Sequence, residues 1–121
     1  KETTYHFRHS SKWVIRLGDG TAESHGKMQS AIDNLWMFTD ELFEMNQVDN
    51  NMLTQKIGVD CLTIKAKWDQ IIDEVLSEAT LKRPENIHMT SGGREGIHTE
   101  HLGHLLSDMQ YLQRAYPDAK W

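Results

Sequence analysis

Cysteine, proline and long apolar runs are all scarce in these 121 residues. The single Cys61 excludes an intrachain disulfide and suits a reducing cytoplasm. Its place in an apolar helical pattern predicts a small buried hydrophobe rather than a reactive thiol. Only two prolines are present, Pro84 and Pro117. Both fall where helical patterns stop, so nothing interrupts an all-helical reading. No apolar stretch approaches the ~20 residues of a membrane span, so no membrane partner is expected. No basic surplus exists either, because the net charge is −5. That excludes a broad nucleic-acid footprint, which needs clustered Lys and Arg. Strand-like alternation, internal repeats and low-complexity tracts are also missing. The opening residues carry no initiator Met, no N-cap and no leader.

What is present is helical periodicity. Four helices are predicted, at about residues 1–17, 21–46, 60–80 and 97–116, in a single helical domain over 1–121. The first stops at Gly18-Asp19-Gly20, read as a plain turn. The second is capped by Thr21 and sustained by Met28, Ala31, Ile32, Leu35, Trp36, Phe38, Leu42, Phe43 and Met45. A polar stretch at Asp49-Asn50-Asn51 and a connector from Met52 to Val59 follow. Asp60 caps the third helix, whose apolar series is Ile64, Trp68, Ile71, Ile72, Val75, Leu76 and Ala79. Lys82-Arg83-Pro84 ends it. Glu85 to Gly96 reads as a loop hinged at Gly92-Gly93 and Gly96. The last helix carries Leu102, Leu105, Leu106, Met109, Leu112 and Tyr116 on one stripe. Trp13, Trp36 and Trp68 fall one per helix, as core fillers of a helical bundle; Trp121 ends the chain.

The first helix poses a problem of burial. Glu2, His6, His9, Ser10, Trp13 and Leu17 fall within about 100° of arc. Read as the inward stripe, this would place a carboxylate and two imidazoles beside Trp and Leu. Such groups need partners when buried, and none is obvious downstream. The chain therefore reads as the back part of something longer, entering inside a helix that lines a polar bundle core.

Seven His and eighteen acidic residues raise the question of a metal. Bundle di-iron sites use a Glu from each of two helices and Glu-x-x-His from two others, because i and i+3 project from one face. Two literal matches occur, Glu85-x-x-His88 and Glu95-x-x-His98. The first lies in the loop and the second straddles Gly96, so neither is a mid-helix pair. Glu2, His6 and His9 are better placed, yet they supply one carboxylate and two imidazoles from one helix. A hydrogen-bonded structural cluster is the preferred reading for them. The row His98, His101 and His104 could in principle bind zinc or nickel, although successive i+3 steps spread the three apart. Nucleophilic catalysis finds no support: there is no G-x-S-x-G, no Cys-His pair and no phosphate loop. No catalytic or cofactor-binding residue is assigned.

Longer motifs are more specific. They run Lys1-Glu2-Thr3-Thr4-Tyr5-His6, Trp13-Val14-Ile15-Arg16-Leu17-Gly18-Asp19-Gly20-Thr21, Glu23-Ser24-His25 and Met28-Gln29. Near the end stand Ser91-Gly92-Gly93-Arg94, His98-Thr99-Glu100-His101-Leu102 and Met109-Gln110-Tyr111-Leu112-Gln113-Arg114-Ala115-Tyr116-Pro117, closing on Trp121. Together they resemble the PaaC family, the C-type components of bacterial 1,2-phenylacetyl-CoA epoxidase complexes of phenylacetate degradation. The resemblance covers essentially the whole chain.

It implies an all-α, ferritin-like helical bundle of which this chain is the C-terminal portion. The first helix would be the last of the core, and the later three an extension. It implies a catalytic A-type subunit as partner, with the di-iron centre held there by Glu-x-x-His pairs and electrons supplied by a separate reductase. Laid on that pattern, His6 takes the His position, but the Glu position falls on Thr3. Glu2 is one residue off, about 100° round the helix. A neutral hydroxyl is a poor iron ligand beside carboxylate. The resemblance thus implies a non-catalytic supporting subunit with no cofactor of its own. A metal-binding protein using Glu2, His6 and His9, or the later His row, with iron or zinc, is the alternative. Isolated, a bundle lacking half its core is expected to self-associate as a homo-oligomer.

Overall fold

A computed structural model describes residues 1–120; Trp121 lies outside the described residues. The described chain is all-α, as a ferritin-like helical bundle requires, with no strand. It divides into two compact units, residues 1–91 and Gly92 onward.

The first unit holds α1 (Glu2–Gly18), α2 (Ala22–Leu35), α3 (Gln47–Thr54) and α4 (Cys61–Glu78). Thr21 starts α2 with a reciprocal cap: its side chain accepts from Ser24 N–H, and Ser24 Oγ accepts from Thr21 N–H. Asp60 caps α4 as expected, accepting from Leu62 N–H at 2.9 Å. The core is small: Leu76, Ala79 and Leu81 are buried, with Val14, Ile15, Met28, Ile32, Trp36 and Ile72 packed around them.

The expected helix over 21–46 ends early. After Leu35 the chain tightens into two 3₁₀ turns, Trp36–Phe38 and Asp40–Phe43. The Met37 carbonyl, which a continuous α-helix would pair with Glu41, accepts from Thr90 N–H at 2.8 Å instead. The Thr39 hydroxyl donates to the Trp36 carbonyl at 2.9 Å. These competing bonds turn the backbone and bring Trp36 and Phe43 onto the same Trp68 ring. Their centroids lie 6.0 Å and 5.3 Å from it.

The predicted connector contains a helix. Asn46 accepts from Val48 and Asp49 N–H, while Asp49 accepts from Asn46 N–H, forming a capping box that starts α3. Asn at N-cap with Asp at N3 was the available sequence signal.

α4 ends at Glu78, ahead of Lys82-Arg83-Pro84. Leu81 N–H donates to the Leu76 carbonyl and Thr80 N–H to that of Ser77, a Schellman-like closure with Thr80 in the left-handed region at φ 58°. Cys61 is half-buried at the start of α4, not enclosed in a core.

The second unit contains a 3₁₀ turn at Gly93–Glu95 between left-handed Gly92 and Gly96, then α5 (Glu100–Ala115). Helix begins at Glu100 rather than Ile97, since Thr99 is extended at the N-cap position. No helix among the described residues is long and apolar enough to cross a membrane.

Candidate functional site

α1 meets the rest of its unit through a different face from the one its hydrophobic pattern suggests. Val14 and Ile15 pack on the core, and Gly18 is buried against Ala79 and Leu81. Only glycine permits that approach, because a β-carbon at residue 18 would lie 2.5 Å from the Ala79 carbonyl oxygen. The stripe of Glu2, His6, His9, Ser10, Trp13 and Leu17 is thereby turned outward, and all six are exposed. The inward reading is corrected on this point. The closest fit decides the docking face, and here it is the glycine at the helix end.

The exposed groups interact along the helix. Glu2 and His6 approach at 3.5 Å. Their side chains are 89% and 66% exposed, so water solvates both. The His9 ring stacks on Tyr5 and sets its edge toward Trp13. The Ser10 hydroxyl donates to the backbone carbonyls of His6 and Phe7. Trp13 is 47% exposed, so it is not the core filler its spacing suggests.

The residues on α1 do not fit a di-iron cage. One carboxylate and one imidazole come together, Thr3 one turn before His6 carries only a neutral hydroxyl, and His9 is engaged by aromatic rings. Among the described residues, no group of three or more His, Cys, Asp or Glu is arranged to hold a metal ion. The later row is not one helical row at all. His98 precedes the Thr99 cap, whereas His101 and His104 lie on α5, and all three are exposed. Glu85-x-x-His88 falls in the segment between α4 and the glycine turns, and Glu95-x-x-His98 crosses left-handed Gly96, so neither projects as a helical pair.

The most developed polar constellation lies elsewhere in the first unit. Arg83 donates to Asp69 and, at 2.8 Å, to Asp73, while its guanidinium lies 4.9 Å from the Trp36 ring centroid. Lys65 pairs with Asp40 at 3.2 Å and Asp69 at 3.7 Å, and caps the Phe43 and Trp68 rings at 4.9 Å and 5.8 Å. Hydrogen bonding from Arg83 holds the Asp69 carboxyl below the ordinary aspartate range. Beside the cluster, Phe43, Met45, Leu62 and Lys65 help line an open hollow of about 480 Å³. Each of these charges meets an opposite charge, and the two cations also meet aromatic faces. The cluster ties the segment after α4 back to α4 and the 3₁₀ turns. It presents no nucleophile–base pair. The sequence held half the signal: Lys65, Asp69 and Asp73 repeat at i+4 on one helix face. The arrival of Arg83 and Asp40 depends on the tertiary fold.

Comparison with known proteins supplies the lineage. The chain is 46% identical over 121 residues to the C-type component of 1,2-phenylacetyl-CoA epoxidase from Escherichia coli (strain K12). That alignment covers 100% of this chain and 49% of the relative, so the chain spans about half the relative's length. The phenylacetic acid catabolic protein family matches over residues 1–121. Matched along its whole length and sharing nearly half its residues with that relative, the chain belongs to the phenylacetic acid catabolic protein family.

Proposed function

We propose that the chain forms part of a non-catalytic structural subunit of a multicomponent monooxygenase in aerobic phenylacetate catabolism. Its partner is a di-iron A-type subunit that epoxidises the ring of phenylacetyl-CoA. The chain's own work is packing: it holds the catalytic partner in a productive shape, in the cytoplasm, without a cofactor of its own. The observation that carries this reading is the exposed Glu2–His6 pair, which gathers no third donor among the described residues; the resemblance adds that neutral Thr3 falls where the catalytic pattern has a carboxylate. The relative's description as one component of a multi-part epoxidase supports the assignment of a partner.

Metal analysis of the purified full-length protein after anaerobic iron loading tests the reading. Less than about a tenth of an equivalent of iron is expected, unchanged by His6→Ala. Two iron atoms per chain, lost on His6→Ala, would overturn it in favour of a metalloprotein using Glu2, His6 and His9.

Taken alone, the chain self-associates through apolar surface it leaves uncovered. Met28, Ala31, Ile32 and Leu35 line such a groove on α2, and Leu35 is 63% exposed. Light scattering across a concentration series is expected to show species larger than one chain.

A further inference from the structure

We infer that Trp36–Phe43 is a conformational switch. Its own sequence encodes α-helix, a latch at Thr90 holds it as 3₁₀ turns, and opening the latch rewinds it into α2.

Local sequence favours the continuous helix. No glycine or proline lies between Gly26 and Gly58. Met37, Glu41, Leu42, Glu44 and Met45 are good helix formers. The backbone also stays close to α. Leu35, Trp36 and Thr39 keep right-handed helical angles, and the chain becomes extended only at Glu44. Yet the hydrogen bonds close one residue early: Thr39 N–H donates to the Trp36 carbonyl, Leu42 to Thr39 and Glu44 to Glu41. Rewinding needs only about 15° of ψ at each residue. A 3₁₀ stretch within a helical pattern is a common mark of a hinge.

Tertiary contacts impose the tighter winding. After α4 the chain returns across α2 as a strap. Lys82 is tied to Gln29 by two hydrogen bonds, and Arg83 is tied to Asp69 and Asp73. Residues 85–88 are exposed. The far end of the strap is tied by Thr90 N–H, which takes the Met37 carbonyl at 2.8 Å. A local preference opposed by a tertiary bond defines an element with two arrangements.

The two arrangements differ in what they present. Seven steps separate Trp36 from Phe43. At 100° and 1.5 Å per residue instead of 120° and 2.0 Å, Phe43 turns by about 140° and draws in by about 3.5 Å. Arg83 holds Trp36 in place, so Phe43 leaves the Trp68 ring. Asp40 turns by about 80° and releases Lys65. Phe43, Met45, Leu62 and Lys65 then no longer shape the 480 Å³ hollow as they do now.

The latch sits where it can be worked. Thr90 is two residues ahead of left-handed Gly92, where the second unit begins. Whatever displaces the chain at Ser91 and Gly92 acts directly on the latch, and by reciprocity the winding of α2 biases that connector.

NMR of the isotopically labelled full-length protein tests the switch. Thr90→Pro deletes the latch N–H. It is expected to gain contacts from α-protons to amides four residues on across Trp36–Phe43, and to lose the Phe43–Trp68 ring contact. Thr90→Ala keeps the N–H and is expected to match wild type. An unchanged 3₁₀ pattern in Thr90→Pro, or loss of helical contacts across the segment, overturns the inference, provided the core contacts of Ile32 persist. If they do not, Thr39→Ala decides, since it deletes the hydroxyl that reinforces the 3₁₀ turn and raises helix propensity. The same gain of contacts upholds the switch, and a pattern identical to wild type overturns it.

Discussion

Gly18 and Ala79 are in backbone-level contact: a β-carbon added to Gly18 would stand 2.5 Å from the Ala79 carbonyl oxygen and 2.9 Å from its methyl group. Two helix ends, those of α1 and α4, are joined there. The Gly18 carbonyl accepts from His25 Nδ1 at 2.8 Å, which fixes that ring nitrogen as the protonated one. This junction sets which face of α1 turns inward.

Gly18→Ala is therefore expected to destabilise the chain by about 1–3 kcal/mol, through overpacking against backbone that cannot yield. Gly26→Ala gives the opposite sign. Gly26 lies inside α2 with nothing within 4 Å of an added β-carbon. Replacing it is expected to stabilise by about 0.5–1 kcal/mol from helix propensity alone. Urea unfolding of the two variants beside wild type measures both effects.

Thr80 adopts φ 58°, a conformation that costs a β-branched residue about 1–2 kcal/mol. Its hydroxyl reaches the Gly18 carbonyl only at 3.4 Å, so little is lost by removing it. Thr80→Gly is expected to raise stability by about 0.5–1 kcal/mol. A lowered thermal midpoint would show that the hydroxyl matters more than the backbone.

Gln29 and Lys82 exchange a pair of hydrogen bonds: the Gln29 amide donates to the Lys82 carbonyl at 2.9 Å and accepts from Lys82 N–H at 2.8 Å. A carboxylate can keep only one of these. Gln29→Glu is expected to cost about 1–2 kcal/mol by leaving a carbonyl facing a negative oxygen. Amide hydrogen exchange at Lys82 should accelerate less in this variant than in Gln29→Ala, which loses the acceptor.

The Asp69–Arg83 pair makes stability depend on acid. Because the folded-state carboxyl of Asp69 titrates below its unfolded value, the pair stabilises fully above pH about 4 and is lost as pH falls through the folded value. Both side chains are about a third exposed, so screening limits the contribution to about 1 kcal/mol. Arg83→Met is expected to be less stable than wild type at pH 6, with the gap narrowing as the pH falls below the unfolded aspartate value of about 4 and through the lower folded one. A gap independent of pH would mean that Arg83 acts through its contact with Trp36 alone.

Periodicity made the helical class legible, along with the cap at Asp60 and the glycine turns around Gly92 and Gly96, since each depends on residues within a few positions. The family was legible because its motifs are long. The break after Leu35 was not, because it depends on a residue far along the chain, Thr90, taking the Met37 carbonyl. α3 was readable in principle from Asn46 and Asp49, but the polar run around Asn50 obscured it.

The candidate ligands divide in the same way. The family resemblance alone sets Thr3 against the carboxylate position of the catalytic pattern, and its chemical type, a neutral hydroxyl, is independent of folding. Only the tertiary structure decided that Glu2, His6 and His9 face outward. An amphipathic pattern states which residues share a face, but the face that packs is chosen by steric fit, and here Gly18 lets the end of α1 close on Ala79 and Leu81.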